Sequence, residues 1–185
     1  PPEDLLLKAQ FVEENVRVLN EIAQACRGVV AVVGYVRQGD QRDPHSFRPS
    51  MRSAGRPALY NAAAVIADGK IVGSCSKWQL SNYGVCDESR YFLPGGRLPM
   101  LLVNGTTIGV TICEDMWLRE GPTSVYTAVG AEVIVTIDAS PFHIGNSGSR
   151  EQMLATSARD NGVIVAYTNM VGGQDELVFD GNSVI

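Results

Sequence analysis

A mixed α/β domain is what the chain predicts, on three features: an amphipathic stretch running straight into a β-branched apolar segment, two turn dipeptides set between strand-like runs, and a later alternation of helical and strand patterns. With 185 residues, 45% of them hydrophobic and 19% charged, the chain suffices for a full core without disulfides.

From Glu3 to Cys26 the residues Leu5, Val12, Val16, Leu19 and Ala23 share one stripe, with Glu13, Glu14 and Arg17 between them. Two prolines and early acids open this pattern, which predicts a surface helix with one buried face. Gly28 closes it, and the nearly unbroken apolar run over residues 29–35 predicts a strand covered on both faces. Between Arg37 and Pro57 the composition turns to Arg, Gln, Asp, Ser and Pro without a period, as in a surface loop edging a site.

Asp68-Gly69 then joins Leu59–Ala67 to Lys70–Ser76, and Asn104-Gly105 joins Met100–Val103 to Thr106–Cys113, two antiparallel hairpins by their turn chemistry. The stretch from Lys77 to Pro99 that separates them reads as loop. Gly121-Pro122 opens a helix through Val129, and Glu132–Ile137 is a buried strand. A helix from Ser149 to Asn161 should turn Met153, Leu154 and Ala158 inward, Val163–Thr168 supplies the next strand, and Asp180-Gly181 suggests a last hairpin. The sum is one α/β domain in which parallel units are interrupted by hairpins.

Twenty acidic residues against fifteen basic ones give a net charge of −5, without a Lys/Arg cluster, so nucleic acid is not an expected partner. The four cysteines (Cys26, Cys75, Cys86, Cys113) form no C-x-x-C pair, and two histidines offer no zinc-like spacing, so free thiols in a reducing compartment and no metal are expected. No apolar run approaches the ~20 residues of a membrane span and no signal segment opens the chain, which points to the cytoplasm. The Pro-Pro start and the Val-Ile end within an apolar run read as a piece of something longer, incomplete at both ends.

Cys113 stands where a strand gives out before a helix start, the place where open α/β sheets put reactive groups and where backbone N–H groups favour an anion. Its ordinary alternative is a small core hydrophobe. Lys77 follows directly on the strand ending at Ser76, beside Trp78 and Leu80, so its charge could be desolvated and aimed at a developing oxyanion. Its ordinary alternative is a solvated loop lysine.

Four segments settle the choice. Lys77-Trp-Gln-Leu-Ser-Asn-Tyr83-Gly-Val-Cys-Asp-Glu88-Ser-Arg-Tyr-Phe, then Gly109-Val-Thr-Ile-Cys113-Glu-Asp-Met-Trp117, then Ala139-Ser140-Pro141-Phe142-His143, and Gly172-Gly-Gln-Asp-Glu-Leu-Val-Phe-Asp-Gly181 together resemble the nitrilase superfamily. More narrowly they resemble the glutaminase domain of glutamine-dependent NAD synthetase, and the opening Pro-Pro-Glu-Asp-Leu-Leu-Leu resembles the start of that domain's first helix.

The resemblance implies a four-layer αββα sandwich of two mixed sheets and a Glu-Lys-Cys triad. Cys113 is then the nucleophile, Lys77 the cation at the oxyanion, and Glu88 the additional glutamate that supports the lysine and the attacking water. The general-base glutamate of the family falls on a first strand upstream of Pro1, so the chain alone is expected to lack that strand and to be inactive. Tyr83 and Ser140 match positions that contact the amino-acid end of glutamine. A basic residue common in relatives after Ser-Pro-Phe is Asn146 here, with Arg150 as an unmatched substitute, while Glu114 and Asp115 are taken as holding the turn.

Gly172-Gly173-Gln174-Asp175 imitates the phosphate loop of ATP pyrophosphatases but lacks its serines, having Val171 and Glu176 in their places. The implied activity is hydrolysis of L-glutamine through a cysteinyl thioester, supplying ammonia to a C-terminal synthetase domain of the same parent chain. No cofactor is implied for this half, ATP and Mg2+ are implied for the other, and a homo-oligomer is expected. The rival expectations are a free-standing amidase of the superfamily and a truncated, non-catalytic binding fragment.

Overall fold

The computed structural model describes residues 2–39, 57–84 and 86–185, with Asn146 described by its backbone alone. The loop expected between Arg37 and Pro57 therefore lies almost wholly outside the described residues. Two compact units make up the chain, Pro1–Arg97 and Leu98–Ile185.

In the first unit a 3-10 turn, Glu3–Leu7, precedes helix α1, Ala9–Ala25. The single helix expected from Glu3 to Cys26 is thus two pieces, broken at Lys8, whose backbone is extended (φ −95, ψ 112). With about three residues per turn the opening turn seats Leu6 inside and leaves Leu5 41% exposed, whereas Val12, Leu19 and Ala23 are buried as their spacing requires.

Strands β1 (Val30–Gln38), β2 (Leu59–Ala67) and β3 (Lys70–Ser76) form an antiparallel sheet in the order β1-β2-β3. The strand covered on both faces is β2, where residues 62–66 are all buried; β1 is an edge strand, with Val29 and Val30 exposed. A run of valines shows what a strand is made of, and only pairing order decides which strand is central. Asp68 and Gly69 both have positive φ (47 and 83), the geometry a two-residue hairpin demands. Leu19 and Ala23 of α1 pack on Ala64 and Ile66 of β2.

The second unit holds β4 (Leu101–Val103), β5 (Thr106–Ile112), a 3-10 turn (Cys113–Met116), α2 (Pro122–Ala128), β6 (Val133–Asp138), α3 (Asn146–Asn161), β7 (Ile164–Asn169), β8 (Val171–Gln174) and β9 (Leu177–Asp180). Its main sheet runs β4-β5-β6-β7, antiparallel in the first pair and parallel in the other two. Mixed pairing with hairpins among parallel units is the expected pattern.

Gly109 lets α2 close on this sheet, since a Cβ there would stand 2.6 Å from the Tyr126 ring. Tyr126, Met116, Ile134, Leu154, Val165 and Tyr167 form the core, with Met153 and Ala158 packed against it. Helix α3 begins three residues before Ser149, at Asn146. The last hairpin does not turn at Asp180-Gly181: β8 and β9 are joined through Asp175, at φ +50, and Asp180 ends β9.

Candidate active site

The candidate residues fall into two clusters, one in each unit. In the first, β3 delivers Lys77 immediately beyond its last residue, Ser76. The Lys77 backbone is pinned on both sides: its N–H donates to the Asn61 carbonyl and its carbonyl accepts from Gly95 N–H, each at 2.7 Å. A Cβ on Gly95 would lie 2.3 Å from the Ser76 carbonyl oxygen, so this close approach requires glycine.

The Lys77 side chain is 2% exposed, and its Nζ donates to Glu88 Oε2 at 2.5 Å and to Ser81 Oγ at 2.7 Å. Glu88 sits on the 3-10 turn Glu88–Arg90. Its Oε2 also accepts the Ser81 N–H and its Oε1 accepts from Asn61 Nδ2, both at 2.7 Å. Burial pushes the Glu88 carboxyl up, but the Lys77 charge and the hydrogen bonds from Lys77, Ser81 and Asn61 together outweigh it and hold the carboxyl below its ordinary value. The lysine that composition alone would leave in solvent is therefore buried and ion-paired. Tyr83, on the same loop, is 62% exposed, and its carbonyl accepts the Cys86 N–H.

In the second unit the carboxyl ends of three parallel strands lie in register, with Ile112 beside Ile137 and Asp138 beside Asn169. Open α/β sheets bind ligands at such an edge. Cys113 is the first residue past β5, half-buried, and adopts φ +52, a left-handed conformation that an L-residue with a side chain takes up only under strain. Glu114 and Asp115 behind it are buried, and the Glu114 carbonyl accepts the Trp117 N–H.

Ser140, just past β6, is 6% exposed and held by Asn169, whose Oδ1 accepts the Ser140 N–H at 2.9 Å. Arg150 of α3 donates to Ser140 Oγ at 3.4 Å, to Asp180 Oδ1 at 3.2 Å and to the Gly181 carbonyl at 3.3 Å. Arg150 is thus a buried side chain whose terminal nitrogens have partners inside the fold; the side chain of Asn146 lies outside the description. Tyr167 donates to Asp138 Oδ2 at 2.8 Å, and its phenol is pushed upward first by burial and then by the Asp138 carboxylate.

Asn61, Ser81 and Asn169 have no expected role from the sequence, and Asp180 is expected there only as a turn residue. Ser81 stands four residues after Lys77 within a quoted motif, a signal that was available; Asn61, on another strand, gave none. Gly172, Gly173 and Gln174 lie in β8, paired with β9, so this run forms a ladder and not a phosphate loop. Among the described residues no group of three His, Cys, Asp or Glu is placed to hold a metal ion, and no helix is long and apolar enough to cross a membrane.

A family profile described as carbon-nitrogen hydrolase matches residues 6–185. The chain is 42% identical over 188 residues to a glutamine-dependent NAD(+) synthetase of Thermotoga maritima, covering all of this chain and 30% of that protein. It is 40% identical over 185 residues to a glutamine-dependent NAD(+) synthetase of Aquifex aeolicus, again covering 100% of this chain and 30% of the relative. Among solved structures, the glutamine-dependent NAD+ synthetase from Acinetobacter baumannii in complex with ADP superposes with a TM-score of 0.85 at 32% identity, over 99% of this chain and 32% of that one. An amidase from Nesterenkonia sp. shares the fold with a TM-score of 0.76 at 24% identity, over 100% of this chain and 63% of that one. The chain spans less than a third of the length of the synthetases it matches.

Proposed function

Because the chain belongs to the carbon-nitrogen hydrolase family, we propose that it is the glutaminase part of a glutamine-dependent NAD synthetase. By the family resemblance Cys113 Sγ attacks the side-chain amide carbonyl of glutamine and Lys77 supplies the charge that stabilises the resulting oxyanion. Collapse breaks the C–N bond, the nitrogen takes up a proton and leaves as ammonia, and a thioester remains on Cys113. Water then adds to the thioester, releasing glutamate and returning the thiol, so that glutamine and water become glutamate and ammonia.

Glu88 keeps Lys77 charged in this scheme, and its lowered carboxyl makes it a weak base. By the family resemblance the proton acceptor is a glutamate preceding Pro1. Tyr83 and Ser140 receive the amino-acid end of glutamine, and the ammonia passes to a synthetase domain that uses ATP and Mg2+ in the cytoplasm.

The observation that carries this reading is a lysine 2% exposed at a strand end, paired there with a carboxylate. Such a charge has been removed from water and fixed in place, which is what stabilising a developing oxyanion demands. In the full-length protein Cys113→Ala should abolish NAD formation from glutamine and spare NAD formation from added ammonia. Equal loss with both nitrogen donors would overturn the proposal.

A further inference from the structure

Ser140 stands two residues past Asp138, where β6 ends and its pairing with β7 stops. A backbone that leaves a ladder inside the fold carries an N–H and a carbonyl that still require partners. At Ser140 both groups meet the side chain of one residue, Asn169. Its Oδ1 accepts the Ser140 N–H at 2.9 Å, and its Nδ2 donates to the Ser140 carbonyl at 3.4 Å. The amide thus carries the ladder one step beyond the end of the strand.

The chemistry of the place asks for an amide. Nδ2 also donates to Asp180 Oδ1 at 3.4 Å, so the side chain offers an oxygen on one side and N–H donors on the other. A carboxylate here would face the Ser140 carbonyl and Asp180 with oxygen against oxygen, and an apolar side chain would remove the acceptor of the Ser140 N–H. Asn169 is itself well anchored: it is the last residue of β7, pairs with Asp138, donates its N–H to Ser183 Oγ at 3.1 Å and is 4% exposed.

We propose that Asn169 is a positioning residue for substrate recognition, fixing the Ser140 backbone so that the Ser140 hydroxyl meets the amino-acid end of glutamine; this rests on the reading of Ser140 as a glutamine contact. Asn169 acts through Ser140 and is not itself a catalytic residue. The amino-acid end of glutamine changes no bond during hydrolysis, so a contact to it serves the ground state and the transition state alike. Loosening Ser140 should therefore raise KM and leave kcat close to the parent.

The test is glutamate release from glutamine by the full-length protein carrying Asn169→Ala, Ser140→Ala or both, with the thermal midpoint measured on each preparation. Asn169→Ala should raise KM about 10-fold, the size expected when one hydrogen bond to a charged group is lost, with kcat within about 3-fold of the parent. A partly unfolded preparation lowers kcat and not KM, because KM does not depend on the amount of active enzyme. In the Ser140→Ala background the same substitution should raise KM by less than about 2-fold, since no hydroxyl remains to be misplaced. Asn169→Asp keeps the bulk of the side chain and should shift KM in the same direction; it is read in place of the Ala form if that form does not fold. A parental KM in either Asn169 form, or an equal rise with and without the Ser140 hydroxyl, would overturn the proposal. Ser140→Ala alone reads the underlying assignment separately: a parental KM there overturns Ser140 as a glutamine contact, whatever Asn169 does.

Discussion

Lys77 Nζ lies 2.5 Å from Glu88 Oε2, and the two side chains are 2% and 10% exposed. Removing the Lys77 charge alone strands the Glu88 carboxylate in a poorly solvated place, which is far more damaging than losing a surface ion pair. The pair therefore fixes the charge of the lysine as well as its position.

Lys77→Ala should lower glutamine turnover by about 10²–10³, the loss typical of an oxyanion donor, while KM changes much less. Steady-state kinetics on the full-length protein decide this. Near-parental turnover would make Lys77 a structural residue only.

Glu88 gives the stability a defined acid limb. Its carboxyl is held below the ordinary value of 4.5, so it stabilises the folded state fully at higher pH, and that contribution is lost as pH falls below 4.5 through the folded value. The difference in unfolding free energy between the parent and Glu88→Gln should be flat near neutrality and shrink on acidification. A difference that widens toward low pH would contradict the assigned direction.

Asp180→Ala should destabilise the protein by about 3–5 kcal/mol, because Arg150, whose side chain is 3% exposed, loses its only carboxylate among the described residues. Replacing both partners together, as Arg150→Met with Asp180→Leu, should recover much of that loss. Denaturant midpoints for the three variants measure it, and a single variant as stable as the parent would show the pair to be dispensable.

Gly95→Ala should cost about 1–3 kcal/mol and reduce turnover together, since the added methyl meets the Ser76 carbonyl at 2.3 Å and displaces the strand that leads into Lys77. Unchanged denaturation and kinetics would mean that the loop yields freely.

Legibility followed the range of the interaction. Asp68-Gly69 and Asn104-Gly105 were readable because a two-residue turn is settled by its own backbone, and both dipeptides have positive φ throughout. Asp180-Gly181 carries the same local signal, yet the carboxylate is engaged by Arg150 and Asn169, and the hairpin turns at Asp175 instead. The edge position of β1 was hidden for the same reason: pairing order is not written in a run of valines. Lys77, Glu88 and Cys113 stand out in the sequence through motif resemblance, whereas the Asn61 donor that completes the Glu88 carboxylate comes from another strand and leaves no local trace.

The left-handed backbone at Cys113 sets reactivity against durability. Glycine tolerates φ +52 without steric penalty, so Cys113→Gly should melt at a higher temperature than Cys113→Ala, although neither variant has the thiol. Conformational freedom added to the unfolded chain opposes this gain, and relief of about 1–2 kcal/mol of local strain must exceed it for the ordering to hold. A Cys113→Gly protein that melts above the Cys113→Ala protein would show that the thiol stands where the chain would rather place no side chain at all.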